Sequence, residues 1–268
     1  MHLYFAGAER NQHIDLLRAN GVKNILSSYY WKTKDMDPKV LSKDFRIFVD
    51  SGGYSARKNG VDIDIQAYGK FLADNKDDIF VAANLDVYDL DQAHKNQTTL
   101  EQYFPVIPVY HMSEYNGGKR DLLEEMCKQY KYIAIGGVAG GAIDKQMITN
   151  FFNFCFKIGL KHKTKFHGFG ITSPGYLRDY PWYSVDSTTW MAGSRYGQMM
   201  VWRSGDYSMQ TNIHYSDKEE YMRHNFDKEG VEDYWVRMAA SIKEMLKMEK
   251  AITDLWAARD IIYDDEYR

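Results

Sequence analysis

Two rhythms alternate along the chain. Short runs of β-branched and aromatic residues, each ending in Gly, Ser, Asp or His, are followed by longer stretches whose apolar positions step by three and four. Eight such runs are read as strands: His2–Phe5, Asn24–Ser27, Arg46–Asp50, Ile79–Asp86, Val106–His111, Tyr132–Gly137, Lys165–Gly170 and Tyr183–Asp186. The intervening stretches read as helices. In Asn11–Asn20, Ile14 and Leu17 share a face and Gly21 is placed to end the helix; Ile65–Leu72, Leu122–Tyr130 and Lys145–Ile158 follow suit. No hairpin signal separates the units, so the strands are expected to pair in parallel, and eight of them close a (β/α)8 TIM barrel. Beyond residue 206 the pattern reads as helical, with no further parallel strand. There Val231, Trp235, Met238, Ile242, Met245, Ile252 and Trp256 describe one long amphipathic helix with a Met and Trp packing face or subunit contact. The expected organisation is a barrel over 1–205 and a C-terminal helical extension over 206–268 packed on it as one structural domain.

Composition narrows this picture. A length of 268 residues suits a single barrel of about 250. With 44% apolar and 26% charged residues, the chain is not disordered. Its two cysteines, Cys127 and Cys155, exclude a disulfide framework or a zinc site built on three or four thiolates and suggest a reducing compartment; both read as helix residues. The longest uncharged stretch, Tyr132–Ile143, is 12 residues, well short of the roughly 20 that cross a bilayer. Glu9 and Arg10 come too early for a signal peptide, so a soluble cytoplasmic protein without membrane association is expected. The net charge of -3 hides an asymmetry: 206–268 carries 9 basic against 15 acidic residues, and the rest is net basic. Lys157, Lys161, Lys163 and Lys165 form a run without acids, with Arg178, Arg195 and Arg203 nearby. Such a run is either a solvated helix end or a strip that contacts phosphates.

Barrel enzymes place their chemistry at the C-terminal ends of the strands. There the sequence sets Asp50-Ser51-Gly52-Gly53-Tyr54 after strand three, Asn84-Leu85-Asp86 after four, Tyr110-His111 after five, Gly136-Gly137 after six, His167-Gly168-Phe169-Gly170 after seven and Asp186-Ser187-Thr188 after eight. Three carboxylates thus point to one mouth, although any single strand-end Asp is as readily the N-cap of the next helix. A carboxylate beside bare Gly-Gly backbone and an aromatic ring suits a flat heterocycle, with hydrogen bonds at its edge and stacking on its face. Gly136-Gly137 offers backbone N–H groups to a carbonyl oxygen or, alternatively, a nest for phosphate; placement on strand six beside acids disfavours the phosphate.

In order and placement, Val49-Asp50-Ser51-Gly52-Gly53-Tyr54, Asn84-Leu85-Asp86, Ile133-Ala134-Ile135-Gly136-Gly137-Val138-Ala139-Gly140 and Val185-Asp186-Ser187 resemble the motifs of the tRNA-guanine transglycosylase superfamily. The chain is most similar to its phage branch, which exchanges guanine in DNA for a 7-deazaguanine (the DpdA type). The resemblance runs from about Phe45 to Tyr196. It implies Asp186 as the nucleophile holding the sugar covalently, Asp50 as the proton relay between departing and incoming bases, and Asp86 as reader of the guanine N1–H and amine. It also implies that Gly137 N–H meets the carbonyl oxygen and that Tyr54 stacks on the base. His111 stands where the tRNA enzymes use a glutamine. Ser51, Gly52, Gly53, Gly136 and Phe169 are expected to complete the base pocket. Double displacement at an oxocarbenium-like centre needs two carboxylates about 5 Å apart, and a third that accepts from guanine rejects adenine.

The chain departs from the tRNA enzymes in having no cysteine after Cys155, hence no three-cysteine zinc cluster, and no RNA-binding appendage. This shifts the expected partner to guanine-containing DNA, flipped out or single-stranded, with a 7-deazaguanine base as second substrate and no cofactor or metal. A phage-encoded protein would work in the host cytoplasm. Arg195, Arg203, Lys163 and Lys165 are the candidate nucleic-acid contacts, and Trp182, Trp190 and Trp202 either grip the strand or pack the last barrel helix. Competing readings are a tRNA enzyme of the same type, a glycoside hydrolase or nucleoside-processing glycosylase, and a catalytically idle base-binding barrel. His13, His94, His214 and His224 lack ligand-like spacing.

Overall fold

The computed structural model describes residues 1–32, 36–85, 87, 89–138, 143–191, 196–214, 216–217 and 232–262. Eight strands form one sheet: β1 (His2–Ala6), β2 (Asn24–Ser28), β3 (Arg46–Asp50), β4 (Val81–Ala82), β5 (Val109–His111), β6 (Tyr132–Gly136), β7 (Lys165–Gly168) and β8 (Ser184–Ser187). Their order is β4-β3-β2-β1-β8-β7-β6-β5, every neighbour parallel. The ring closes where Ala83 bridges Ile107, with Asn84 N–H to Ile107 O at 2.9 Å and Ile107 N–H to Ala82 O at 2.8 Å. This is the expected TIM barrel.

Helices wrap the ring: α1 (Asn11–Ala19), α2 (Pro38–Leu41), α3 (Gly53–Lys58), α4 (Ile65–Asp74), α5 (Leu90–Leu100), α6 (Met112–Asn116), α7 (Arg120–Gln129), α8 (Lys145–His162) and α9 (Pro174–Asp179). Asp37, Asp64, Asp89 and Asp144 cap α2, α4, α5 and α8 by accepting first-turn N–H groups, the role open to any aspartate at such a junction. Neither Asp50 nor Asp186 is used this way.

Strand parity divides the apolar residues into two cores. Leu3, Phe5, Ile25, Ile47, Val49, Ile133, Ile135, Phe166 and Val185 face the helices. Tyr4, Leu26, Phe48, Val81, Ala83, Tyr132 and Ala134 fill the barrel. Two residues beyond inward Phe48 comes Asp50, and two beyond inward Ser184 comes Asp186; the alternation that buries the plug therefore aims both carboxylates inward at the ring's upper end.

The segment after the barrel differs from the expected helix. Gln198–Arg203 (β9) and Ser208–His214 (β10) form an antiparallel hairpin, so the boundary at 205/206 falls in its turn. The final helix, α10 (Tyr234–Ala257), buries Met238, Ile242, Met245 and Ile252 as its stripe predicts; Val231 lies outside the described residues. Glu244 Oε2 on α10 accepts the Trp202 N–H at 2.8 Å and fastens hairpin to helix. Trp182 and Trp190 are fully buried and Trp202 nearly so. Phe152 and Phe156 meet Trp182 edge-on at 5.1 and 4.7 Å. These rings pack the core and offer no face to a nucleic-acid strand.

Candidate functional site

At the C-terminal end of the strands lies a cavity of about 730 Å³, within the range of small-molecule sites. Asp50, His111, Gly136, Gly137 and Asp186 line it from the ends of β3, β5, β6 and β8, Phe169 and Gly170 from beyond β7, and Tyr54 and Arg57 from α3. Val87, Leu90, Ser113, Glu114, Gly117 and Lys119 complete the wall. A larger, shallower hollow of about 1180 Å³ opens near the other end, where Lys23, Lys43, Arg46 and Lys76 are matched by Asp44, Asp77, Asp78 and Glu249. Its mixed charge selects no ligand, and it sits away from the strand ends where barrel chemistry is placed.

Asp186 is the more enclosed carboxylate, its side chain 12% exposed. Its Oδ1 accepts the Gly170 N–H at 2.8 Å and lies 3.3 Å from His167 Nε2. Asp50 turns back on its own loop: Oδ2 accepts the Gly52 N–H at 3.0 Å. Gly52 permits this with φ +77°, and a Cβ there would come within 2.4 Å of Ser28 Oγ and 2.5 Å of Tyr30 Cβ. Ser51 is buried, its Oγ accepting the Gly53 N–H at 3.2 Å. Ser51, Gly52 and Gly53, expected in the base pocket, thus shape the turn that presents Asp50 and are not among the described lining residues.

Tyr54 stands 66% exposed at the rim, its ring accessible to a stacking partner. His111 opens α6, where its backbone N–H donates to Glu114 Oε2 at 2.6 Å and its Nδ1 lies 3.5 Å from Glu114 Oε1. Gly136 makes room for that imidazole, since a Cβ would stand 2.7 Å from His111 Cδ2. Phe169 packs on Phe48 and His167 with centroids 5.9 and 4.7 Å apart. Asp86 and Arg195 lie outside the described residues.

The basic run is not brought to this cavity. Lys163 is the C-cap of α8, ahead of β7 at the opposite end of the ring. Lys165 starts β7 and is buried, its Nζ 4.9 Å from the centre of the Tyr183 ring. Lys161 and His162 pair with Glu124. Arg203, on the hairpin, donates to Gln210. Lys163, Lys165 and Arg203 therefore do not line the mouth; among the described residues its lysine and arginine are Lys119 and Arg57, which sequence reasoning passed over.

It named His167 at the end of strand seven but gave it no role. This ring is completely buried below Asp186, among Phe48, Phe169 and Tyr4 with centroids at 4.5, 4.7 and 6.1 Å. Its Nδ1 is 2.6 Å from Ser184 Oγ, which in turn contacts Tyr132 OH. Burial holds its pKa below the usual histidine value, against the opposing pull of Asp186, so the imidazole is neutral at neutral pH. The signal was available, because His167 has the same strand parity as Phe169.

No family model matches the chain, and neither does any curated protein. Solved structures give partial matches to the chain. One is QR15, an aldolase: TM-score 0.47, 10% identity, 70% of this chain and 89% of that one. TrpF from Jonesia denitrificans gives a TM-score of 0.37 and 12% identity over 69% of this chain and 84% of its own. The carboxyl transferase domain of Rhizobium etli pyruvate carboxylase with pyruvate gives 0.43 and 9% over 94% of this chain and 48% of its own. Among the described residues no helix is long and apolar enough to cross a membrane.

Proposed function

We propose that the chain is a base-exchanging transglycosylase that replaces guanine in DNA by a 7-deazaguanine through a covalent Asp186–sugar intermediate. The observation that carries this reading is that Asp50 and Asp186, from strands three and eight, line one cavity together with Tyr54, His111, Gly136, Gly137 and Phe169. A carboxylate oxygen of Asp186 attacks the anomeric carbon; the bond to the purine nitrogen breaks, its electron pair leaves with the base, and Asp50 delivers the proton the base needs. The incoming base gives its proton to Asp50 and displaces Asp186 from the same carbon. Two inversions leave the original configuration. Tyr54 stacks on the purine, the backbone at Gly137 meets its carbonyl oxygen, and Asp86 is assigned the N1–H and amine edge by the motif resemblance.

A second reading, a glycosylase acting on free nucleosides, draws support from the basic run lying away from the cavity, with only Arg57 and Lys119 as described cations in its wall. The test incubates protein with guanine-containing DNA, tRNA or deoxyguanosine plus 7-deazaguanine bases and measures the nucleosides by mass spectrometry. Exchange in DNA and a protein–DNA adduct are expected, both lost in Asp186→Asn. Exchange confined to tRNA or to free nucleosides would replace the DNA reading, and wild-type activity in Asp186→Asn would end the mechanism.

A further inference from the structure

Under the plug of the barrel, four inward side chains from three adjacent strands form a line: Tyr132 on β6, His167 on β7, Ser184 and Asp186 on β8. Tyr132 OH contacts Ser184 Oγ, Ser184 Oγ lies 2.6 Å from His167 Nδ1, and His167 Nε2 lies 3.3 Å from Asp186 Oδ1. His167 Nε2 is fully enclosed and makes no hydrogen bond among the described residues, the Asp186 carboxylate 3.3 Å away being the acceptor within reach. Hence the arrangement ends on a polar atom whose one neighbour is the carboxylate.

The direction of the protons follows from what each atom has to give. Were Ser184 to donate to Tyr132, His167 Nδ1–H would donate to Ser184, and a bare Nε2 lone pair would face a carboxylate lone pair in a dry site. The reverse order uses every proton: Tyr132 O–H to Ser184 Oγ, Ser184 O–H to His167 Nδ1, and Nε2–H to Asp186 Oδ1. That last contact is long and off line as it stands, as catalytic hydrogen bonds often are before the reacting charge develops. Gly170 N–H holds the same oxygen at 2.8 Å, whereas Oδ2 has no protein partner among the described residues.

Resting on the assignment of Asp186 as nucleophile, we propose that His167, locked in the Nε2–H tautomer by Ser184 and Tyr132, is the positioning residue that pins Asp186 Oδ1 and presents Oδ2 to the anomeric carbon. The line makes no bond to substrate; it fixes a rotamer and supplies one donor to the carboxylate, as outer partners do for other reacting groups. Asp186 is the charged group met by the imidazole, and the other elements turned toward it bring the rings of Tyr4 on β1 and Phe48 on β3.

The test compares the full-length wild-type chain with His167→Gln, His167→Phe, Ser184→Ala and Tyr132→Phe on a guanine-containing single-stranded oligonucleotide. Adduct formation and base release are followed by mass spectrometry, and folding by thermal melting. His167→Phe is expected to cut kcat by about 100-fold with KM kept within about twofold, the scale of a misplaced reacting group. His167→Gln, whose amide N–H can reach the same oxygen, is expected to regain about tenfold of that loss, one hydrogen bond to a charged group. Ser184→Ala should lower kcat several-fold. Should the His167 variants fail to fold, Ser184→Ala and Tyr132→Phe, each removing only a hydroxyl, decide alone: unchanged kcat in both overturns the proposal. A His167→Gln that folds and is no better than His167→Phe overturns it as well. Nitrogen-15 imidazole NMR reads the tautomer without substrate; Nδ1–H at neutral pH overturns the line of donors. A wild-type protein that forms no adduct on any nucleic acid or nucleoside instead removes the transglycosylase reading, while the NMR result still stands for the relay.

Discussion

Asp50 and Asp186 differ in how their loops hold them. Asp186 is fixed by Gly170 N–H from the loop after β7 and sits over a buried imidazole, whereas Asp50 is tethered to its own turn through Gly52 N–H. A rigid carboxylate suits a nucleophile that must meet one carbon, and a rim carboxylate suits a proton carrier that must serve two bases. Opposite them, the missing side chain at Gly136 is what lets His111 lie against the wall. Gly136→Ala is expected to push the imidazole aside and raise the KM for free base about tenfold, with adduct formation on saturating DNA little changed. A KM equal to wild type would remove His111 from base recognition. Both aspartates were legible because strand-end acids stand out against an apolar run; His167 was not, because a histidine inside a strand reads as one more core residue until parity shows what lies above it.

For whole elements, the strand and helix rhythm located all eight barrel strands, Arg46–Asp50 to the residue, and the final helix within a few residues. β4 came out far shorter than its apolar run, because beyond Ala83 the chain leaves the sheet and Asn84 turns its amide to the Ala93 carbonyl on α5. The β9–β10 hairpin was missed because its Met, Gln and Asn content resembles a helix, while the real signal, Ser204-Gly205-Asp206 between alternating residues, is short. α10 carries a further consequence in Glu249, whose Oε1 accepts the Leu3 N–H at 2.7 Å and ties helix to β1. Burial raises its pKa to about 7, partly offset by that N–H and the amino terminus. A carboxyl held above its usual 4.5 binds its proton more tightly folded than unfolded, so its stabilisation is complete below 4.5 and is lost as pH rises to about 7. Glu249→Gln should melt higher than wild type at about pH 8 by up to roughly 3 kcal/mol and converge with it in acid. Parallel melting curves for the two across that range would show that Glu249 is not the source.

Across the molecule, the basic run and the cavity lie at opposite ends. The lysines at the end of α8 sit at the N-terminal end of β7, and among the described residues the lysine and arginine of the mouth are Lys119 and Arg57. Sequence spacing could not show this, because Lys163 and Phe169 are six residues apart yet β7 carries them to opposite ends of the ring. If the mouth takes a nucleic-acid strand, Arg57→Glu with Lys119→Glu should weaken oligonucleotide binding about tenfold and flatten its salt dependence, whereas Lys163→Glu should leave both unchanged. Equal losses from the two ends would point to binding outside the mouth. The ring itself is unevenly stitched. β2 and β3 share five paired positions, but the seam between β4 and β5 is held by two backbone hydrogen bonds around Ala83 and Ile107. Val87 and Leu90 follow that seam into the cavity wall, so under the proposed base exchange a base larger than guanine is expected to widen the ring there first and leave the wall bearing Asp186 in place.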